Sequence, residues 1–249
     1  MVKYPKIDIT LTTYKRRDLL QKTMESFLNT CLDFDLVNRW LVGDDGSSKE
    51  DIKWMKEKYS FLTIYQNSKK GQASNINNIF SKVETDWFFH MEDDWLFLKR
   101  DNYIRKLFDI VFDNQLIKNA TLRYWTGDKK DIRQALNGTQ YFIHNYLPVR
   151  PSRVEQRLSE AEKQRIKEAD ALWCGYTLNP SLQHRDTVIN KLGKYNEEII
   201  YKRNWDRPQA IKYYELGYKR ANLMEKYIEH IGENNSAYNI RQKGGLIVD

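Results

Sequence analysis

The first hundred residues alternate between two hydrophobic rhythms. Ile7, Ile9 and Leu11 fall at every second position, with Asp8 and Thr10 between them, the pattern of a half-buried strand. After the polar turn Thr12-Thr13-Tyr14-Lys15, the residues Leu20, Met24, Phe27 and Leu28 fall at helical spacing. Trp40-Leu41-Val42 predicts a second strand, ending in Gly43-Asp44-Asp45-Gly46-Ser47-Ser48. Residues 61–65 predict a third, ahead of Asn67-Ser68-Lys69-Lys70-Gly71. Ile76, Ile79, Phe80 and Val83, at i, i+3, i+4 and i+7, predict the helix that follows, and a fourth strand over 87–91 runs straight into Glu92-Asp93-Asp94. Strands alternating with helices predict an α/β fold with a mainly parallel central sheet flanked by helices. In such sheets ligands bind beyond the carboxyl ends of the strands, where each of these polar clusters falls.

The second half is less regular. Residues 120–125 and 141–143 read as strands. The charged segment 148–171, with a capping-box spacing at Ser159 and Glu162, reads either as a flap or as a solvated surface helix. Repeats, low-complexity tracts and linkers are missing, so residues 1–249 read as a single domain.

Composition narrows the classes. With 16 Tyr, 10 Phe and 7 Trp the chain can bury a full core. Its two cysteines, Cys31 and Cys174, sit in no CxxC or Cys/His cluster, which argues against a redox motif or structural zinc and for a reducing compartment. Without an apolar leader or a run of membrane-span length, the chain reads as soluble and cytoplasmic, with peripheral membrane contact left open. A net charge of +7 favours anionic partners, but the basic residues are too dispersed to choose among nucleic acid, membrane surface and phosphorylated small molecules.

Glu92-Asp93-Asp94 is the sharpest chemical signal. Three consecutive carboxylates after an apolar strand repel one another, and a hard divalent cation such as Mg²⁺ or Mn²⁺ relieves that repulsion. The competing reading is a solvated acidic turn, which the flanking Phe88, Phe89, Trp95 and Phe97 make less comfortable. Asp44-Asp45-Gly46-Ser47-Ser48 serves equally well as a structural turn or helix cap.

Taken in order, Thr12-Thr13-Tyr14, Asp44-Asp45-Gly46-Ser47 and Glu92-Asp93-Asp94 resemble the motifs of family-2 glycosyltransferases with the GT-A fold. The resemblance implies that Thr12, Tyr14 and Asp45 contact the nucleotide base, that Asp93 faces the ribose, and that Asp94 ligates a metal bridging the diphosphate. It continues through 173–182, similar to an acceptor-side strand and turn. Asn204-Trp205-Asp206-Arg207-Pro208 falls where the family carries an acidic motif, which makes Asp206 the candidate general base. Asp206 also reads as a helix N-cap with Gln209 at N3 and Gly217 closing the helix. His230-Ile231-Gly232 resembles a C-terminal segment that returns a histidine to the metal or diphosphate, so His230 is a second candidate ligand or else a packed residue. His90 reads as a core histidine, and Lys69 or Lys70 as phosphate partners or ordinary surface lysines. Two departures stand out: the acidic cluster opens with Glu92 rather than Asp, and the acidic pair is the single Asp206.

The resemblance implies a metal-dependent enzyme that moves a sugar from a nucleotide-diphosphate donor, first of all a UDP-sugar, to a hydroxyl of a glycan or other acceptor with inversion. Residues up to about 100 would form the donor half, and 101–249 the acceptor half with a C-terminal tail. No nucleic-acid partner is expected. The rival classes are a nucleotidyltransferase, whose glycine-rich first loop is missing from Thr12-Thr13-Tyr14-Lys15, and a non-enzymatic binder of nucleic acid or polysaccharide.

Overall fold

Every residue of strand β1 (Ile7–Thr13) is buried, although its sequence alternates apolar and polar positions. In the computed structural model, which describes residues 2–67, 71–124, 131–144, 175–198 and 205–232, the reason is its central place. It pairs in parallel with β2 (Val37–Asp44) on one side and β4 (Trp87–Glu92) on the other, and both faces of the sheet are covered. The polar positions are satisfied inside: Asp8 accepts from Arg39 at 2.6 Å and Asn38 at 3.0 Å, and Thr10 Oγ1 meets His90 Nδ1 at 3.0 Å. A half-buried strand is therefore corrected to a fully buried one.

The sheet runs β3-β2-β1-β4-β9-β6-β10-β8-β7 among the described residues. β3 (Leu62–Gln66), β2, β1 and β4 form a parallel block. β9 (Ser181–His184) is antiparallel to both β4 and β6 (Ile117–Thr121), while β10 (Lys219–Leu223) runs parallel to β6. β8 (Gln140–His144) and β7 (Ile132–Gln134) close the far edge as an antiparallel pair. A short second ladder joins β5 (Trp95–Phe97) to β11 (Ile228–His230). The mainly parallel sheet predicted from the sequence is present. Its second-half strand begins earlier than read, at Ile117, and Trp125 lies outside the described residues.

Two apolar layers cover the faces. Leu20, Met24 and Phe27 of α1 (Arg17–Thr30) and Leu107, Phe108 and Val111 of α4 (Tyr103–Asp113) pack on one side with Ile7, Ile9 and Leu11. Burying such side chains contributes about 1.5–3 kcal/mol each. On the other side Ile76, Ile79 and Phe80 of α3 (Gln72–Phe80) pack with Phe88, Tyr176 and Tyr213. The helical period predicted to include Val83 stops at Phe80; Val83 is buried instead in a turn whose amide bonds Phe80 O at 3.2 Å. α2 (Lys49–Lys58) starts at Ser48, whose hydroxyl accepts the Asp51 amide at 3.0 Å.

α5 (Arg207–Glu215) begins where the cap at Asp206 predicts, and Gly217 ends it at φ +75°, a conformation glycine adopts without penalty. The side-chain cap itself is not made: Asp206 forms no capping hydrogen bond, and Gln209 Nε2 turns away to Lys194 O at 2.9 Å. No helix among the described residues is long and apolar enough to cross a membrane. The expected capping box at Ser159 and Glu162, Lys69 and Lys70, and Trp173-Cys174 lie outside the described residues.

Candidate functional site

The carboxyl end of β1 ties both acidic turns together. The Asp45 amide donates to Thr13 O and the Asp93 amide to Thr12 O, each at 3.1 Å. A parallel strand flanked by two parallel neighbours leaves no alternative: whatever follows β2 and β4 must emerge beside the end of β1. Thr12, Asp45, Asp93 and Asp94, all buried, therefore share one sheet edge. Between β1 and α1 the chain turns sharply at Lys15, the one described non-glycine residue with positive φ, +50°. Its amide bonds Ser47 Oγ at 3.1 Å, which joins the first polar turn to the second.

On the β2 side, Asp45 Oδ1 accepts the Gly71 amide at 2.7 Å. Gly71 precedes α3 at φ +122°, a conformation open to glycine. Asn75 of α3 donates to Gly43 O at 2.9 Å, and a Cβ on Gly43 would lie 2.5 Å from the Asn75 side-chain oxygen. That close approach fixes α3 against the turn. Tyr14 is half-buried at the mouth of the site, beside Lys15.

On the β4 side Arg16 dominates. It occupies the N-cap position of α1, where short polar residues are usual, and caps nothing. Its guanidinium instead bridges Asp93 Oδ1 and Asp94 Oδ2, the latter at 2.8 Å. Asp93 is saturated, since Oδ2 also accepts the Thr13 hydroxyl at 2.7 Å and the Tyr14 amide at 3.2 Å. Burial raises the Asp93 pKa, and Asp94 adds to the rise while Arg16 opposes it. Burial and the charge of Asp94 raise Glu92 too; that residue is tethered by Gln72 of α3 at 2.9 Å.

Asp94 behaves differently. Burial opposes its charge, yet His230 and the Arg16 guanidinium hold its carboxyl below the usual range. The β5/β11 ladder delivers His230 opposite Trp95, and the Ile231 amide bonds Asp94 O at 2.9 Å. His230 Nε2 then lies 3.4 Å from Asp94 Oδ2. Gly232 completes the cradle, because a Cβ there would come within 2.4 Å of the same oxygen. Asp94 Oδ1 is buried without a hydrogen-bond partner, an open position in an otherwise satisfied corner.

Those features fit a hard divalent cation. A carboxylate with an orphaned oxygen and an adjacent imidazole supply two ligands, and no group of three or more His, Cys, Asp or Glu side chains suited to a metal converges among the described residues. Two ligands suffice where substrate phosphates and water complete the sphere.

Asp206 immediately precedes α5. Burial raises its pKa. The Tyr195 phenol, raised first by burial and by Tyr176, also feels the charges of both Asp206 and Glu92. Trp205 packs on Tyr195 with ring centroids 4.9 Å apart. His90 is a fully buried core residue, as read from the sequence.

The residues brought to one edge are thus Thr12, Tyr14, Asp45, Asp93, Asp94 and His230, while Asp206 is joined to that group only by its electrostatic influence on Tyr195. Sequence reasoning singled out no role for Arg16, and quoted Thr13 and Gly232 only as neighbours of Thr12 and His230. Arg16 carried a signal in a basic residue at a helix start, where acceptors belong; Gly232 carried none, since its role exists only once β11 packs on the acidic turn.

The family model for glycosyl transferase family 2 matches residues 8–158. No curated protein sequence matches the chain. Solved structures that share its fold include the following three. GalNAc-T7, with UDP, GalNAc and Mn²⁺, superposes with a TM-score of 0.61 at 11% identity, covering 91% of this chain and 44% of that one. The mannosyltransferase PcManGT from Pyrobaculum calidifontis, with GDP-Man and Mn²⁺, gives 0.61 at 14% identity, covering 96% and 61%. TarS 1–349 from S. aureus gives 0.56 at 13% identity, covering 90% and 59%. The chain therefore spans between 44% and 61% of those proteins, and at such identities the likeness is one of fold. With more than half its length matched by the family model, the protein belongs to glycosyl transferase family 2 and has the GT-A fold.

Proposed function

We propose that the protein transfers a sugar from a nucleotide-diphosphate donor, a UDP-sugar, to an acceptor hydroxyl, with a divalent cation and with inversion at the anomeric carbon. The observation that carries this reading is the juxtaposition of Asp45 and Asp93-Asp94 on either side of the β1 end, with the unpartnered Asp94 Oδ1 beside His230. Family membership supports it, as do the Mn²⁺ and nucleotide or nucleotide sugar held by two of the proteins that share the fold. The donor half is assigned to residues up to about 100 of one domain, and the acceptor half to the rest.

Asp45 would accept the pyrimidine N3–H, and Tyr14 would stack on the ring, with Thr12 closing the pocket. Asp93 would reach the ribose once Arg16 releases Oδ1. Asp94 and His230 would hold Mn²⁺ or Mg²⁺, which offsets charge on the leaving diphosphate. Arg16 already balances that corner electrostatically, so its guanidinium would turn to the phosphates when a cation takes its place.

Asp206 would accept the proton of the acceptor hydroxyl as that oxygen attacks the anomeric carbon. The bond from that carbon to the phosphate oxygen breaks on the opposite side, and the diphosphate leaves with the electron pair. Burial suits Asp206 to the role, because a raised pKa makes the carboxylate a stronger base. Hydrolysis of a panel of nucleotide sugars without acceptor tests the reading, with UDP-sugars and Mn²⁺ expected to give turnover. A released sugar of retained anomeric configuration contradicts inversion, and no hydrolysis or binding of any nucleotide sugar contradicts the function.

A further inference from the structure

Arg220, the second residue of β10, is 5% exposed and has no ion pair or side-chain hydrogen bond among the described residues. Its Nε is buried without a partner. A guanidinium taken out of water without an anion is expensive, and native chains seldom tolerate it without a purpose. Burial draws its pKa down to about 9, and the charge of Arg123 acts in the same direction. Arg123, beyond the end of β6, is solvent-exposed and also lacks an ion pair among the described residues; partial desolvation lowers its pKa, and Glu92 is the carboxylate that counteracts this. Its guanidinium sits 5.9 Å from the Trp95 ring.

Register places Arg220 on a polar face of the sheet. Arg220 lies opposite Asn119 and Asn222 opposite Thr121. Side chains alternate along a strand, so Asn119, Thr121, Arg220 and Asn222 share a face. That face continues through Ser181 of β9 to His90 of β4 and Thr10 of β1, ending beside the acidic turn. Asn222 Nδ2 donates to Arg123 O at 2.7 Å and braces the pair. Asn119 Oδ1 and Asn222 Oδ1 are buried without donors. A ligand that combines an anionic group with hydroxyls would satisfy all of these at once, the anion at the guanidiniums and the O–H groups at the amide oxygens.

We propose that Arg220 and Arg123 bind the phosphate or carboxylate group of a hydroxyl-bearing acceptor, on the acceptor side of the site. This deepens the glycosyl-transfer reading and rests on it for the word acceptor. The donor diphosphate is the competing occupant, because Arg123 neighbours Trp95, the residue after Asp94, and the UDP affinity of the arginine variants decides between the two.

The test uses three small probes, glycerol 3-phosphate, glycerate and uncharged glycerol, titrated calorimetrically into the full chain saturated with UDP and Mn²⁺. One of the charged probes is expected to bind while glycerol does not, and the tighter one identifies the anionic group. Arg220→Gln and Arg123→Gln are each expected to weaken that binding by about tenfold or more, while UDP affinity stays within about twofold. Arg220→Met is expected to raise the unfolding temperature of the ligand-free protein, because it removes a buried unpaired charge. Charged probes that bind no better than glycerol overturn the proposal, as does undiminished binding in both glutamine variants. Loss of UDP affinity in those variants also overturns it, by assigning the arginines to the donor. Wild-type protein that ignores UDP but binds the charged probe through both arginines contradicts the donor reading and leaves the anion site standing.

Discussion

His230 Nε2 lies 3.4 Å from Asp94 Oδ2, although the two residues are far apart in the sequence. The β5/β11 ladder makes the contact, with His230 paired to Trp95, the residue after Asp94. His230 is more than a third exposed and packs against Trp95 with the rings tilted and their centroids 5.0 Å apart. It is accessible enough to leave Asp94 and ligate a cation. For His230→Ala we expect Mn²⁺-dependent UDP affinity to fall by about tenfold or more with little change in stability. Equal affinity for variant and wild type, measured by calorimetry, would make His230 only the electrostatic neighbour of Asp94.

Gly232 offers an independent probe of the same corner. A methyl group there would sit 2.4 Å from Asp94 Oδ2, so Gly232→Ala must displace either the carboxylate or the segment after β11. The expected result is a loss of about 1–3 kcal/mol in stability together with weaker Mn²⁺ binding in the presence of UDP. A variant that keeps both wild-type stability and wild-type Mn²⁺ binding would show that Asp94 has room to move.

Asp206→Asn separates the base from the helix start. Since Asp206 makes no capping hydrogen bond, the amide should leave stability nearly unchanged while turnover drops by roughly two to four orders of magnitude. Burial raises the Asp206 pKa, so the carboxylate forms, and activity rises, at a pH above the ordinary Asp range. That acidic limb should be missing from the residual activity of Asp206→Asn. Retention of most transfer activity would reduce Asp206 to a residue that merely precedes α5.

The buried His90 predicts an acid weakness unrelated to catalysis. Burial depresses its pKa to about 3, so the folded protein keeps it neutral while the unfolded chain protonates it near 6.5. The unfolded state then binds the extra proton, and stability falls as pH drops from about 6.5 towards about 3. By pH 5 the loss from this group is about 2 kcal/mol. Urea unfolding of wild type and His90→Gln at pH 7.5 and pH 5 measures it. A wild-type decrease no larger than that of His90→Gln would mean His90 contributes nothing to it.

The legible part of this protein was the part governed by local rhythm. Alternation at Ile7, Ile9 and Leu11 and helical spacing at Leu20, Met24 and Phe27 located β1 and α1, and strand-end placement located Asp45 and Asp94. The polar lining of β1 was legible as residues but not as environment, because burial of Asp8 and Thr10 depends on Arg39, Asn38 and His90 from neighbouring strands. Arg16 shows a different limit. A basic residue at a helix start looks like a poor cap until Asp93 and Asp94 are placed beside it. The pairing of Arg220 with Asn119 depended on strand register, which amino-acid spacing does not encode across so long a separation.

The most direct measurement is a calorimetric titration of UDP into wild type and Asp94→Asn, each with and without Mn²⁺, with GDP as the comparison nucleotide. The proposed function predicts that wild type binds UDP tightly only with Mn²⁺ and binds GDP more weakly. It predicts that Asp94→Asn loses the Mn²⁺ effect while remaining folded. Asp94→Asn binding UDP and Mn²⁺ as tightly as wild type would contradict the metal site, and tighter binding of GDP than UDP would contradict the donor assignment.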